Sequence, residues 1–254
     1  MSLLLYSLRD LALSAINWEL KEESAFAAPP PEKNNSHKSR QKEKPAHAPA
    51  SVPAAAPVSL SAAQDAAGGA DSLQNLSDAI INFNHPLKQF AQNVVPPHFA
   101  KTPGQDKLLI ITDMPSADDD DSGQILTGAG GELMDKMLAA INLSRDTVSI
   151  MPLVFWRSPG GRTPTREELD LTKPFLEKAL SLANPKAILT LGTLAAIEIA
   201  GARLPKDHGA CLQNMDFCKF IIPIFHPNYL LLKPDSKKDV WSALQKLAAF
   251  LETC

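Results

Sequence analysis

The sequence predicts an α/β protein with three layers, in which a central, four-stranded, mostly parallel sheet lies between two layers of helices. Three observations predict this class. Four short apolar runs have the length of strands, and segments with helical spacing separate them. The chain of 254 residues, 44% hydrophobic and 21% charged, is also long enough to bury a sizeable core. In such a sheet a site forms where loops leave the carboxyl ends of the strands.

The first 23 residues are predicted to form an amphipathic helix. Arg9, Asp10 and Glu19 lie within its apolar pattern, whereas a secretory signal peptide has an uninterrupted apolar core. No stretch approaches the roughly 18 consecutive apolar residues of a membrane span. The few cysteines have no regular spacing and fit a reducing compartment, so we expect a cytoplasmic protein without membrane association.

Residues 24–71 are predicted to be a disordered linker rich in proline and alanine. Within 29–70, Leu60 is the only residue among Leu, Ile, Phe, Met, Trp and Tyr, and such a segment cannot offset the entropy lost on ordering. A basic run at 33–44 predicts a solvated tether or, alternatively, a weak and salt-sensitive contact with phosphates. The globular domain is predicted to span residues 72–254.

Helix and strand signals fill this predicted domain. Apolar residues recur at helical spacing after Ser72, which is a candidate N-cap. Thr165 and Glu168 form the sequence of a capping box, in which each side chain bonds the backbone amide of the other residue. The predicted strands are 107–112, 148–154, 187–191 and 219–224, and the predicted helices begin near 72, 131, 165, 193 and 236.

The loop after the first predicted strand contains four successive aspartates, Asp118–Asp121, followed by a glycine cluster within 128–131. Carboxylates suggest a hard cation, but consecutive residues rarely converge on one ion, so we expect a solvated loop. The amides of the glycine cluster could cradle a phosphate. The segment lacks the lysine and the spacing of known phosphate-binding loops, so this signal alone is weak.

Two further loops carry candidate functional residues. A net charge of −3 excludes a uniformly basic nucleic-acid binder but allows a local basic site. Arg157 and Arg162 flank a Pro-Gly-Gly turn before a helix start, where they favour an anion such as a DNA phosphate; alternatively, they pair with carboxylates of the acidic loop. His226 is held by Pro227 after the last predicted strand, which makes it a candidate for electrophilic catalysis.

Taken in order, these segments resemble the uracil-DNA glycosylase superfamily, and most closely its family-4, iron–sulfur type. The resemblance spans about residues 73–251. The segment from Asp113 to Ser116 is similar to the family's Gly-Glu-Ala-Pro-Gly, and the segment from Arg157 to Thr165 resembles its Arg-Pro-Pro-Gly-Asn-Arg-Thr-Pro-Thr. The segment from Pro185 to Ala195 resembles the family's strand that begins with Pro-Lys and ends with Leu-Gly-x-x-Ala. The segment from His226 to Leu231 resembles its His-Pro-Ser-x-Leu-Leu.

The resemblance implies a DNA repair enzyme that flips a base out of DNA and hydrolyses its N-glycosidic bond, and we expect this protein to be a monomer. It implies that Asp113 supports the cationic sugar or orients water, and that His226 stabilises negative charge on the departing base. It also implies base contacts from Met114, Pro115, Leu126, Pro152 and Asn228, and DNA contacts from Arg157, Arg162, Tyr229 and Leu230.

Two positions of the implied base pocket depart from the family. Leu126 stands where an aromatic residue stacks on uracil, and Pro152 stands where an asparagine reads the base edge. Loss of a hydrogen-bonding group weakens discrimination between bases. An alternative is therefore a non-catalytic DNA-binding module on the same scaffold. A nucleoside hydrolase is a weaker alternative, since it would not need the paired arginines.

The cluster ligands of the family also differ. Its four cysteines correspond to Asn82, His85, Trp156 and Thr172, and none of these supplies a thiolate. The sequence therefore predicts a protein without an iron–sulfur cluster or other metal, in which Trp156 fills the vacated space. A metal held by His85 together with Cys211 and Cys218 is the disfavoured alternative.

Overall fold

The central sheet has five strands: β1 (Leu108–Thr112), β2 (Ser149–Pro152), β3 (Ala187–Leu191), β4 (Leu212–Asn214) and β5 (Cys218–Ile224). A computed structural model describes residues 58–101, 107–214 and 218–253. The strand order is β2-β1-β3-β5-β4. The pairs among β2, β1, β3 and β5 are parallel, whereas β4 runs antiparallel to β5. The predicted α/β class with a mostly parallel sheet is confirmed.

The predicted strand count of four is one too low, because β4 was not recognised. This strand has only three residues, and Gln213 and Asn214 have low β-propensity. It pairs with β5 at Leu212–Ile221 and Asn214–Cys218, with an irregular register between the two positions. Cys218 begins β5, one residue before the predicted start of this strand at 219.

Eight helices of four or more residues with α geometry surround the sheet within the described residues. None of the helices in this part of the chain is long and apolar enough to cross a membrane. They are α1 (Leu60–Gly68), α2 (Leu73–Asn82), α3 (Ala117–Ser122), α4 (Gly128–Ala139), α5 (Arg166–Ala183), α6 (Thr193–Ala200), α7 (Pro227–Leu232) and α8 (Lys237–Glu252).

The side chains of β1 show how the sheet separates two hydrophobic layers. Leu109 and Ile111 pack into a core cluster that includes residues of α1, α2, α5 and α6. Leu108 and Ile110 point to the opposite face and pack with residues of α4, α7 and α8. Alternate residues of a strand face opposite sides of a sheet, so a strand buried on both sides must be apolar throughout. This arrangement confirms the three-layer α/β/α prediction.

The domain begins before residue 72, the start predicted from sequence. Helix α1 lies against α5, and its Ala63 and Ala67 are buried, as is Ala70 after it. The helix has no stripe of large apolar side chains to predict it, because it packs through alanines, whose small side chains allow close contact. Residues 58–71 are therefore part of the domain. Residues 1–57, which hold the predicted amphipathic helix and the rest of the predicted linker, lie outside the described residues.

Two helix starts were predicted from their caps, and both are confirmed. The Ser72 hydroxyl accepts a 3.2 Å hydrogen bond from the amide of Asn75 at the start of α2. At the start of α5, the Thr165 hydroxyl accepts from the amide of Glu168 (3.3 Å), and the Glu168 carboxylate accepts from the amide of Thr165 (2.7 Å). These bonds satisfy amides that would otherwise lack partners in the first turn.

Candidate active site

The carboxyl ends of four parallel strands bring the candidate loops to one edge of the sheet. The pairing registers place the last residues of β2, β1, β3 and β5 side by side: Pro152, Thr112, Leu191 and Ile224. The chain leaves each strand at this edge. Asp113 directly follows β1, and His226 follows β5 after one intervening residue. The topology therefore brings these two residues to the same edge, although β3 separates their strands.

Asp113 is anchored on the N-terminus of α6. Its Oδ1 accepts a 2.7 Å hydrogen bond from the amide of Ala195, and the amides of Thr193 and Leu194 also stabilise the carboxylate. Gly192, at the N-cap position, has no side chain with which to cap the helix, and a Cβ there would overlap the Asp113 carboxylate. Asp113 therefore caps α6 from a neighbouring strand. Burial raises the pKa of Asp113, and the three amides oppose that rise.

His226 is the N-cap residue of α7 and is held in one tautomer. Its Nδ1 accepts a 3.2 Å hydrogen bond from the amide of Asn228, so the ring proton is carried by Nε2. Burial lowers the pKa of His226 from 6.5 to about 4, although the carboxylate of Asp119 favours the charged form. The ring is therefore neutral at neutral pH. Among the described residues, no acceptor pairs with its Nε2–H, which is left available as a donor.

The acidic segment is a folded helix start, and its prediction as a solvated loop is wrong in part. Asp119 is buried and forms a capping box with Ser116 at the start of α3. Its Oδ1 also accepts from the amide (2.7 Å) and hydroxyl (2.8 Å) of Thr127. Asp120 is buried as well and accepts from the amides of Gln92 and Asn93. The capping-box spacing of Ser116 and Asp119 is visible in the sequence and could have identified this helix.

The residues predicted to contact the base have mainly apolar surroundings. Pro152 is buried at the end of β2 and has neither a side-chain donor nor a backbone N–H. Leu126 is 3% exposed and has a left-handed backbone with φ of 52°. Pro115 is buried, whereas Met114 is half-buried against the core on the α5 side of the sheet. None of these four side chains carries a group that could hydrogen-bond the polar edge of a base.

Arg157 and Arg162 have different environments around the turn Pro159–Gly161. Both terminal nitrogens of Arg162 bond the carboxylate of Glu168, at 2.8 and 2.6 Å. The Arg162 guanidinium in turn lowers the pKa of Glu168. Arg162 therefore connects the turn to the start of α5. The predicted alternative, in which this arginine pairs with a carboxylate of the acidic loop, is wrong, because its partner is Glu168. Within the described ranges, no carboxylate pairs with Arg157, which is partly exposed beside Gly161.

Helix α7 exposes a different leucine from the one predicted to contact DNA. Leu230 is 1% exposed and packs in the core, so it cannot reach DNA in this conformation. The helical turn instead directs Leu232, 82% exposed, toward solvent, with Leu231 at 40%. Tyr229 is half-buried and stacks on Phe225, with ring centroids 4.7 Å apart.

Asn228, another residue predicted to contact the base, is exposed at the start of α7. Its side-chain oxygen approaches the backbone of α4 so closely that a Cβ at Gly130 would overlap it. A glycine is therefore required at position 130 for this contact between α7 and the glycine cluster. The contact links the histidine segment to the start of α4.

The residues at the four positions predicted to correspond to cluster cysteines have the wrong chemistry for an iron–sulfur cluster. His85 and Trp156 are buried and stack in nearly parallel planes, with ring centroids 4.5 Å apart. The Nδ1 of His85 accepts from the amide of Leu87, and its Nε2 bonds the carbonyl of Glu168. Both ring nitrogens are therefore used, and burial lowers the pKa of His85.

The other two positions also lack a cluster ligand. The Thr172 hydroxyl bonds the carbonyl of Leu169 within α5 (2.9 Å), and Asn82 is exposed. Cys211 is exposed and free. In the described part of the chain, no group of three or more His, Cys, Asp or Glu side chains is arranged to hold a metal ion.

The fold and this edge define an α/β enzyme with its candidate site at the strand ends. The Uracil DNA glycosylase superfamily model matches residues 99–248, and the chain belongs to that superfamily. It is similar to the type-4 uracil-DNA glycosylase of Sulfurisphaera tokodaii, with 31% identity over 70% of this chain and 84% of that protein. It is also 31% identical to the type-4 enzyme of Pyrobaculum aerophilum, over 64% of this chain and 86% of the relative. The type-4 uracil-DNA glycosylase of Thermotoga maritima is 27% identical, over 58% of this chain and 78% of that protein.

Proposed function

We propose that this protein is a DNA glycosylase that removes uracil or a related damaged base by hydrolysing the N-glycosidic bond. The observation that carries the proposal is the pair formed by an anchored carboxylate and a neutral histidine at one sheet edge. Cleavage of the bond leaves positive charge on the sugar and negative charge on the base. Asp113 and His226 have the chemistry to stabilise these two charges separately.

Asp113 is the proposed partner of the sugar or of the attacking water. The hydrogen bond from Ala195 fixes one carboxylate oxygen, so the other is held in a defined direction without a conformational search. Amides at the N-terminus of α6 also favour the charged form that this role requires, against the effect of burial.

His226 is the proposed electrophile. A neutral imidazole with its proton on Nε2 donates a hydrogen bond to a developing anion, and Asn228 holds the tautomer by bonding Nδ1. The depressed pKa keeps the ring from taking up a proton before the base departs. The catalytic contribution is therefore a positioned donor that needs no change of charge in the resting enzyme.

DNA is the proposed macromolecular partner, and Arg157, Arg162, Tyr229 and Leu232 are its proposed contacts. Arg157 lacks a carboxylate partner in the described chain, so its guanidinium is available to a phosphate. Arg157→Ala should lower the salt slope of binding by about one, whereas Arg162→Ala should act mainly by loosening the Glu168 contact. If the salt slope of DNA binding were the same for the wild type and Arg157→Ala, Arg157 would not contact a DNA phosphate.

The proposed activity requires no iron–sulfur cluster. The support is the chemistry at the four corresponding positions, where the polar groups of His85 and Thr172 already bond neighbouring backbone groups. A monomer in the cytoplasm remains the expected working form of the enzyme.

The test is an assay for abasic sites on single- and double-stranded oligonucleotides that carry uracil, hypoxanthine or xanthine. Wild-type protein should cleave at least one of these substrates. Asp113→Asn and His226→Ala should each reduce the rate by about 10²–10³ while oligonucleotide affinity stays nearly constant. The matched control is Asp121→Asn, because Asp121 is exposed on the same acidic segment and its side chain bonds no other described residue. Cleavage that survives both catalytic substitutions would overturn the assignment.

A non-catalytic DNA-binding module is the second candidate function, and the apolar residues at the positions predicted to contact the base favour it. Leu126 and Pro152 offer no hydrogen bond to a base, so the preference for uracil should be weak in the native chain. If no damaged base is cleaved, Pro152→Asn combined with Leu126→Phe should restore activity in a scaffold that retains its catalytic pair. Failure of that double variant as well would leave DNA binding as the function.

A further inference from the structure

The first turns of α4 and α7 lie in direct contact at Gly130. This glycine is buried, and a Cβ on it would overlap Oδ1 of Asn228 and come within 2.9 Å of its Cγ. The same Cβ would lie 3.7 Å from the backbone nitrogen of Asn228, which is ordinary van der Waals distance. The two turns therefore leave no room for a methyl group while the Asn228 side chain keeps its place.

The backbone of Gly130 is not the reason for a glycine at this position. Gly130 lies inside α4 and is not among the described glycines with positive φ. At a helical position alanine is the better helix former, because glycine loses more conformational entropy on folding. The three nearest heavy atoms that an added Cβ would meet all belong to Asn228. The contact with Asn228 is therefore what disfavours alanine here.

Helix α4 is the more firmly held of the two helices. Its N-cap residue Thr127 donates from both its amide (2.7 Å) and its hydroxyl (2.8 Å) to Asp119. Helix α4 has 12 residues, of which five are buried, whereas α7 has six residues, of which two are buried. A group inserted between the two helices should therefore displace the first turn of α7 and leave α4 in place.

The first turn of α7 also holds the imidazole of His226. The amide of Asn228 donates to Nδ1 of His226 at 3.2 Å, which is the long end of the usual range for such a bond. A small displacement of Asn228 would therefore weaken the bond. Without this bond the ring proton is no longer confined to Nε2, and the direction of the ring is no longer fixed.

We propose that Gly130 and Asn228 form a positioning pair, in which the Asn228 side chain packs on the bare backbone of Gly130 and so fixes the first turn of α7 and the direction of the His226 Nε2–H. This assigns the Asn228 side chain to α4, in place of the base contact that the resemblance implied. The catalytic consequence rests on the proposed function. It should appear in kcat, because a misdirected donor fails to meet the charge on the departing base, whereas binding of the base is unaffected.

The kinetic test compares Gly130→Ala with Gly68→Ala on a uracil-containing single-stranded oligonucleotide. Gly68 is a matched control because it also lies in a helix, and an added Cβ would meet nothing within 4 Å. Gly130→Ala should lower kcat about tenfold with little change in KM, as expected when a catalytic group is misplaced. Gly68→Ala should change neither constant.

A second substitution separates positioning from a direct contact with the base. Asn228→Ser removes the side-chain atoms that the new Cβ would meet and keeps the backbone amide that binds His226. The combined variant Gly130→Ala, Asn228→Ser should therefore regain most of the kcat that Gly130→Ala loses, so that the two effects are not additive. Additive losses in kcat would overturn the proposal. A rise in KM for Asn228→Ser would overturn it as well, because it would assign the side chain to the base.

Nitrogen NMR of the His226 ring keeps the test independent of activity. The ring-nitrogen shifts should move away from those of a pure Nε2–H tautomer in Gly130→Ala, return in the combined variant and stay unchanged in Gly68→Ala. If the wild type cleaves no damaged base but these shifts behave in this way, the proposed function fails and the positioning pair stands. Unchanged shifts in Gly130→Ala would show that the inference is wrong.

The combined variant also covers the case in which Gly130→Ala does not fold. It lacks the overlap and gains a better helix former, so it should fold and have a Tm at least equal to that of Asn228→Ser alone. A combined variant that is as unstable as Gly130→Ala would mean that Asn228 is not what excludes a side chain at position 130, and the proposal would fall.

Discussion

At the scale of single residues, backbone amides hold both side chains of the candidate catalytic pair. Asp113 accepts a hydrogen bond from the amide of Ala195, 82 positions later, and His226 accepts one from the amide of Asn228. Burial raises the pKa of Asp113, and the amides of α6 oppose that rise by favouring the charged carboxylate. Burial lowers the pKa of His226, and the Asn228 amide selects the tautomer of the neutral ring.

Gly192 should be required for the position of the Asp113 carboxylate. Its φ of 100° and ψ of 176° lie in a region that is almost exclusive to glycine, and a Cβ would overlap Asp113. We expect Gly192→Ala to reduce the free energy of unfolding by about 3 kcal/mol and cleavage by about 10². Urea denaturation and the abasic-site assay would measure the two effects.

The control for this prediction lies at the other end of the same helix. Gly201 also has a positive φ, of 62°, but nothing lies within 4 Å of an added Cβ. Gly201→Ala should therefore cost about 1 kcal/mol from backbone strain alone and leave cleavage unchanged. Similar losses of activity in the two variants would show that strain, and not displacement of Asp113, is the cause.

His226 should remain neutral well below its ordinary pKa. Because the pKa of His226 falls from 6.5 to about 4 on folding, the unfolded chain binds a proton at this residue first as the pH is lowered. The contribution of His226 to stability is therefore fully present above pH 6.5 and is lost as the pH falls toward about 4. Long-range proton–nitrogen NMR should show the Nε2–H tautomer throughout most of that interval.

The assignment of this NMR signal follows from its loss in His226→Gln. That variant should also show a weaker decline of unfolding free energy between about pH 6.5 and 4 than the wild type, because one protonation linked to unfolding is absent. A titration midpoint near 6.5 for the assigned signal would contradict the proposed environment of His226.

At the scale of elements, α1 shows how a helix without large side chains belongs to a core. Ala63 is fully buried and Ala67 is 2% exposed where α1 lies against α5. Small side chains permit close approach of two helices, so a face made of alanines can still be excluded from water.

A charge on this face of α1 should destabilise the domain. Ala63→Glu places an unpaired carboxylate in a fully buried position and should cost about 3 kcal/mol in a thermal or urea unfolding experiment on the full chain. Ala62→Glu, one residue earlier on the exposed face, should change stability by less than about 0.5 kcal/mol. Equal small effects would mean that α1 is not docked in solution.

At the scale of the whole molecule, aromatic packing includes two of the four positions that the sequence resemblance predicts to correspond to cluster ligands, His85 and Trp156. Trp156 stacks on His85 and meets Phe155 edge-on, and Phe83 meets Phe175 in the same manner. Face-to-face and edge-to-face ring contacts of this kind add to the stabilisation from buried area. They connect the segment after α2 with the turn after β2 and with α5, which are distant in the sequence.

The purified protein should therefore contain no stoichiometric iron. We expect no broad absorbance near about 400 nm, which thiolate-bound iron–sulfur clusters show, and less than one iron per chain by elemental analysis. Expression in iron-supplemented cells followed by anaerobic purification makes the test demanding. Stoichiometric iron with that absorbance would mean that ligands from elsewhere in the chain hold a cluster and that the aromatic packing is not its replacement.

Much of this fold follows from local patterns. The caps at Ser72 and Thr165 could be predicted because an N-cap hydroxyl bonds the backbone amide three residues later, within the first turn of the same helix. This bond does not depend on tertiary contacts. The edge that carries Asp113 and His226 was predicted from strand–helix alternation, since parallel strands deliver their loops to one side. The short strand β4 and the alanine face of α1 were missed, because neither has a strong periodic signal.

What the sequence determined by itself is the three-layer class, the parallel core of the sheet and the residue types at its carboxyl edge, all set by short-range periodicity and spacing. Only the tertiary structure decided which partners those residues have. Four examples depend on segments that are separated along the chain and meet in the folded protein. They are the hydrogen bond from the Ala195 amide to Asp113, the ion pair of Arg162 with Glu168, the hydrogen bonds from Arg145 to the carbonyls of Ile125 and Leu126, and the burial of Leu230. Such contacts are chosen by packing in three dimensions, and no local pattern in the chain encodes the distance between their partners.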